Sequence, residues 1–88
     1  MNLLIVSEFN CPFAVFKDKV ENFYIQKAGN CIKKIEISMV DEHKAYTALD
    51  CSDFNLLSKY LLSQELIKWG KENKCHDIIY AMAPIKSK

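Results

Sequence analysis

The sequence predicts an α+β domain with its elements in the order β-α-β-β-α-β. Three observations predict it. Stretches rich in branched and aromatic residues stand near both ends of the chain, two alternating stretches stand in its middle, and amphipathic helical stretches separate these. The length of 88 residues suits one domain, because a domain usually takes roughly 100–200 residues.

Residues 2–9 (NLLIVSEF) form the first predicted strand. Both of its faces are apolar, with Leu3, Ile5 and Phe9 on one and Leu4 and Val6 on the other. A strand covered on one side only should carry polar residues on its second face, and here they begin only at Ser7 and Glu8. Asn10-Cys11-Pro12 is a helix start: the Asn side chain suits a cap, and Pro is tolerated in a first turn whose N–H groups have no partner. Phe13, Phe16, Val20 and Phe23 or Tyr24 recur at helical spacing, and Lys17, Asp18 and Glu21 fall off that stripe. Gly29-Asn30 is expected to stop the helix in a left-handed turn.

From Cys31 to Val40 the pattern alternates, with Ile35, Ile37 and Met39 on one face and Lys34, Glu36 and Ser38 on the other. Asp41-Glu42-His43 reads as a polar turn. Residues 44–51 alternate again, Ala45, Thr47 and Leu49 against Tyr46, Ala48 and Asp50. The two stretches make a β-hairpin. Folding it about Glu42 sets Lys34 opposite Asp50 and Ile35 opposite Leu49, pairing charge with counter-charge and apolar with apolar. Ser52-Asp53 opens a second helix over 53–73. A fresh start at Ser63-Gln64-Glu65 predicts that this helix is kinked or broken. His76 to Ile85 forms the last strand, stopped by Pro84, and again both faces are apolar: Ile79, Ala81 and Ala83 against Ile78, Tyr80 and Met82. The tail 86–88 is expected to fray.

Composition narrows the function. The chain is 50% hydrophobic and 26% charged, which is ordinary for a globular protein. Twelve Lys+Arg against eleven Asp+Glu give a net charge of +1, without the basic surplus that nucleic-acid or acidic-membrane binding needs. Phe9 and Tyr46 are a thin imitation of the base-stacking aromatics of RNA-binding sheets. The longest apolar run, Leu3-Leu4-Ile5-Val6, is too short to cross a bilayer. No basic, cleavable leader follows Met1-Asn2, so a cytoplasmic location is expected. Cys11, Cys31, Cys51 and Cys75 form no C-x-x-C, and neither His43 nor His76 completes a zinc-finger spacing. Free thiols, no metal and no cofactor are therefore expected. The equal gaps between the first three cysteines mark no repeat, because their flanking residues do not recur.

The element order is that of the ferredoxin-like arrangement: a four-stranded antiparallel sheet in the order 4-1-3-2 with both helices on one face. Helices on one face leave the other bare, although the first and last strands are apolar on both sides. A chain of this size buries only about 60–65% of its unfolded surface. Burying about four to six further side chains, at roughly 1.5–3 kcal/mol each, would rival its whole stability. A second copy, sheet against sheet in a two-fold dimer, is the economical cover, so an obligate homodimer is expected.

The order, the short hairpin, the broken second helix (SDFNLLSKYLLSQELIKWGKEN) and the two-sided last strand (HDIIYAMAPI) resemble the dimeric α/β-barrel superfamily. That group includes stress-responsive barrel proteins and antibiotic-biosynthesis-monooxygenase-like proteins. The resemblance spans nearly the whole chain and implies a barrel built from two sheets. It implies for some members cofactor-free oxygenase, isomerase or haem-degrading activity. The haem-degrading members use an Asn late in the first strand, a Trp on the third and a His on the second helix. Asn10 could match the first of these, but the third strand has no Trp and residues 53–73 contain no His, so that mechanism is not carried over.

The topology gathers Glu8, Asn10, Cys11, Cys75 and His76 at one end of the sheet, with Trp69 nearby, and brings Cys31 near Cys51 at the other. Cys11 at a helix start is a candidate nucleophile, since the helix dipole favours a thiolate. His76 is the candidate base or ligand, and Glu8 the carboxylate that orients it. Set against this is the plainer reading of structural cysteines beside a surface histidine. Tyr46, Tyr80 and Glu8 are candidates to line a pocket between sheet and helices, with Asn10 and Trp69 beside them, although strand aromatics also serve core and interface. Lys68, Lys71 and Lys74 read as a solvated helical face. Three functions remain open: a homodimeric barrel protein that binds a small apolar molecule, an oxygenase or isomerase of the same architecture using Glu8, Cys11 and His76, and a small phage-type interaction protein that inhibits a host partner.

Overall fold

A computed structural model of the chain describes residues 1–85, the side chain of residue 25 excepted; the expected fraying of 86–88 lies outside the described residues. Strand β1 (Leu3–Glu8) leads to helix α1 (Phe13–Phe23), which widens into a π-helical turn over Tyr24–Ala28. The hairpin β2 (Ile32–Asp41) and β3 (Lys44–Cys51) follows, then helices α2 (Phe54–Leu61) and α3 (Gln64–Glu72), then β4 (His76–Ala81). The strands form one antiparallel sheet in the order β2-β3-β1-β4. This is the ferredoxin-like α+β arrangement that the sequence predicts.

The hairpin adopts the predicted register, Lys34 opposite Asp50 and Ile35 opposite Leu49. Its turn is shorter than expected. Asp41 still pairs with Lys44, and its carboxylate accepts the His43 N–H at 2.7 Å, so only Glu42 and His43 turn the chain. The second helix is broken as expected, and each half carries its own cap. Asp53 Oδ1 accepts the Leu56 N–H at 3.1 Å, and Ser63 Oγ accepts the Leu66 N–H at 3.4 Å.

Both ends of α1 differ from expectation. Pro12 occupies the cap position and no neighbouring side chain caps the helix. The Phe13 N–H instead donates to Glu42 Oε1 at 3.2 Å, from the hairpin turn. Asn10 is turned to another use: its backbone N–H donates to the Asn73 carbonyl at 2.8 Å, tying the end of β1 to the end of α3. At the other end Gly29 keeps a right-handed φ of −58°. The wider turn, not a glycine reversal, ends the helix, and it lets the consecutive residues Phe23 and Tyr24 both point inward, where they are buried. The last strand also ends early, at Ala81 rather than Ile85.

Alternation divides the sheet into two faces. Leu3 and Ile5 of β1 and Leu49 of β3 face the helices and join Phe23, Tyr24, Ala28 and Leu57 in one core cluster. Phe9, Cys11, Phe16 and Ala45 form a second, with Phe9 and Phe16 stacked at 4.2 Å between ring centroids. On the opposite face Tyr80 and Leu4 stand in one row with Ala48, and Ile78 and Val6 in the next with Tyr46. Among the described residues no helix covers this side. Tyr46, Ile78 and Tyr80 are 42%, 56% and 49% exposed, far above what core side chains show.

Candidate functional site

The helix-covered face does not close completely. Ile5 and Ser7 of β1, Thr47 of β3 and Ile79 of β4 form a floor, and α1 and α3 pass above it. Between floor and helices lies a cavity of about 540 Å³. That falls within the roughly 300–1,000 Å³ typical of small-molecule sites. Phe16, Val20 and Phe23 reach it from α1, and Leu66, Ile67 and Trp69 from α3.

Helix α3 keeps the space open. None of its residues is buried, although its apolar side chains line the cavity. Gly70 lies in the same wall, and a Cβ there would meet no atom within 4 Å. A glycine inside a helix costs about 1 kcal/mol relative to alanine, and nothing packs against this one to require it. Gly70 thus adds no side chain to the cavity wall.

The floor carries two hydroxyls, Ser7 and Thr47, each 2% exposed. Thr47 Oγ1 is buried and has no hydrogen-bond partner. A buried hydroxyl without a partner costs about 1–3 kcal/mol, so this atom is a local cost to the fold beneath the cavity.

Charge is confined to the rim. Lys19 Nζ bonds Glu65 Oε1 at 3.0 Å, joining α1 to α3 beside the mouth. That hydrogen bond and charge hold the Glu65 carboxyl below its ordinary pKa. Lys71 and Lys74 also line the mouth, and among the described residues no carboxylate pairs with either. The sequence reading of Lys68, Lys71 and Lys74 as a solvated face holds for exposure, but it missed the position of the last two at an opening.

Of the residues singled out by sequence, Trp69 and His76 line the cavity, with Cys75 between α3 and β4. Glu8 and His76 are paired across β1 and β4, as the predicted grouping requires. Both are exposed, and among the described residues no ion pair or side-chain hydrogen bond joins them. Tyr46, Tyr80 and Glu8 do not line the cavity. They alternate with Thr47, Ile79 and Ser7, which do, so they belong to the open face of the sheet. Asn10 is exposed and also lies outside the lining.

Cys11 is buried in the second core cluster, with the half-buried Cys75 packed against it. Its carbonyl lies 3.2 Å from His43 Nδ1, a contact from the hairpin turn. The expected activation at a helix start is reversed, because burial pushes the Cys11 thiol up. Burial, followed by the nearby Asp77 carboxylate, pushes Cys75 up to about 12. Cys31 is likewise raised, first by burial and then by Cys51. All four cysteines are free. Among the described residues no group of His, Cys, Asp and Glu is arranged to hold a metal ion, and no helix is long and apolar enough to cross a membrane.

No protein-family model and no curated protein matches the sequence. The fold does have a match. A crystal structure of an antibiotic biosynthesis monooxygenase superposes with a TM-score of 0.55, covering 98% of this chain and 100% of that one at 12% identity. The chain therefore has the ferredoxin-like fold of that monooxygenase, as its sequence resemblance implied.

Proposed function

We propose that this protein binds a small, largely apolar molecule in the cavity between its sheet and helices α1 and α3. The observation that carries this reading is the cavity itself, about 540 Å³, with apolar walls and an unpartnered Thr47 hydroxyl in its floor. A chain that folded only to be stable would fill such a space, since close packing is the rule in protein interiors. Gly70 keeps it open at a cost to the helix.

The same reading includes a homodimer through the open face. The apolar rows of Leu4, Val6, Tyr46, Ile78 and Tyr80 are flanked by charges of both signs: Glu8 and Lys44 at one end, Lys34, Glu36 and Asp50 at the other. A two-fold copy can pair such a face with itself.

Titration of isotope-labelled protein with 4-phenylbutanol, followed by amide and indole NMR shifts, tests the binding site. The expected shifts centre on Ile5, Thr47, Trp69 and Gly70. Shifts confined to Tyr46, Ile78 and Tyr80 would place the apolar probe on the sheet face and overturn the cavity assignment.

A further inference from the structure

Resting on the cavity reading above, we propose that the natural occupant is a carboxylate: an apolar body inside the cavity with its anionic group at the mouth, held by Lys74 and Lys71. Three independent observations converge on this class of ligand.

The first is charge. Three lysines line the mouth against one carboxylate in the lining, Asp77. Lys19 is already paired with Glu65, and Asp77 accepts the Cys75 thiol at 3.5 Å. Among the described residues Lys71 and Lys74 have no ion-pair partner, and with Asp77 they leave a net charge of +1 beside an apolar opening. A neutral ligand would gain only hydrogen bonds from them, an anion would gain charge attraction as well, and a cation would be repelled.

The second is backbone strain. Helix α3 closes with the Cys75 N–H donating to the Gly70 carbonyl at 2.8 Å and the Lys74 N–H to the Lys71 carbonyl at 3.4 Å. This double closure requires a left-handed residue at position 74, where glycine or asparagine is usual. Lys74 adopts it, at φ 48°, and is the only described residue with a positive φ. A side chain with a Cβ is disfavoured there by roughly 1–2 kcal/mol. Strain of this kind persists where the side chain serves a purpose, and the purpose available to Lys74 is the mouth that it lines.

The third is the division of polarity along the cavity. Charge is absent from the floor, where the polar atoms are the hydroxyls of Ser7 and Thr47. An anion driven to the floor would lose its hydration without a counter-charge. The anionic end therefore belongs at the rim.

Three probes of one shape and different head group separate the alternatives: 4-phenylbutanoate, 4-phenylbutanol and 4-phenylbutylamine, titrated at pH 7 against the intact protein. The carboxylate is expected to bind about fivefold more tightly than the alcohol, and the amine most weakly. The double variant Lys71→Gln, Lys74→Asn should reduce the carboxylate to the affinity of the alcohol and leave the alcohol within about twofold of its original value. Asparagine suits the left-handed position, so that variant should fold at least as well. If the alcohol binds as tightly as the carboxylate, or the variant keeps the preference, the anionic class is wrong and the cavity reading survives. If none of the three probes shifts the resonances of Thr47 and Trp69, both readings fall.

Discussion

The N–H of Cys75 donates to the carbonyl of Gly70 at 2.8 Å, and the chain between them passes through Lys74 in a left-handed conformation. One short closure thus joins a glycine of the cavity wall, an exposed lysine of the same lining and the start of β4. Lys74→Gly should relieve the backbone at this point and stabilise the protein by about 1 kcal/mol. Scanning calorimetry should record an increase in Tm of roughly 4–8 °C. A fall in Tm would show that the Lys74 side chain contributes more to the fold than its conformation costs.

Thr47 presents a hydroxyl where the protein supplies it no partner. Valine has nearly the same shape and lacks that group. Thr47→Val should therefore leave the free protein as stable or raise its stability by about 1 kcal/mol, measured by urea denaturation. A loss of more than about 1 kcal/mol would mean that the hydroxyl is satisfied in solution.

The thiols should be poor nucleophiles at neutral pH. Cys75 is raised from 9.0 to about 12 by burial and by Asp77, and Cys11 is raised by burial. Both should react with iodoacetamide more slowly in the native protein than in urea. Linkage sets the sign of the pH effect. The unfolded Cys75 thiol ionises near 9.0 and the folded one near 12, so its contribution to stability is complete below pH 9 and is lost as the pH rises toward 12. Rapid native alkylation of Cys11 at pH 7 would contradict this and restore it as a nucleophile.

The open sheet face carries the prediction about assembly. Ile78 is 56% exposed in the single chain and stands beside Val6 and, one strand further, Tyr46. Light scattering at micromolar concentration should give twice the chain mass of 10.2 kDa. Ile78→Lys, which would place a charge at the centre of the interface, should give the single mass with the fold retained. A wild-type mass of one chain would refute the dimer.

Local pattern made much of this fold legible. The hairpin register followed from folding the chain about Glu42, and the pairs Lys34 with Asp50 and Ile35 with Leu49 supported it. Ser63 marked the helix break because a capping residue stood inside an apolar stripe. The errors have physical causes. Both faces of β1 and β4 are apolar, so polarity does not say which face meets the helices, and Tyr46 and Tyr80 were assigned to the wrong side. Asn10 was expected to cap α1, but the acceptor comes from Glu42, 29 residues away from Phe13. The reactivity of Cys11 was read from its helix start alone, and the burial by Phe9, Phe16 and Ala45 that sets its surroundings comes from residues far apart in the chain. Gly70 was not singled out from the sequence, although a glycine within a helical stretch is a pattern that signals a packing or functional reason. Thr47 offered no such sign, since a threonine on a strand is ordinary.

Gly70→Leu tests the central claim most directly. A Cβ at this position meets open space, and a leucine side chain would project into the cavity while replacing a poor helix former with a good one. The expected result is a protein at least as stable as the wild type in urea that binds 4-phenylbutanoate at least about tenfold more weakly. Unchanged affinity in a folded Gly70→Leu protein would show that ligands bind elsewhere and that the cavity is not the site.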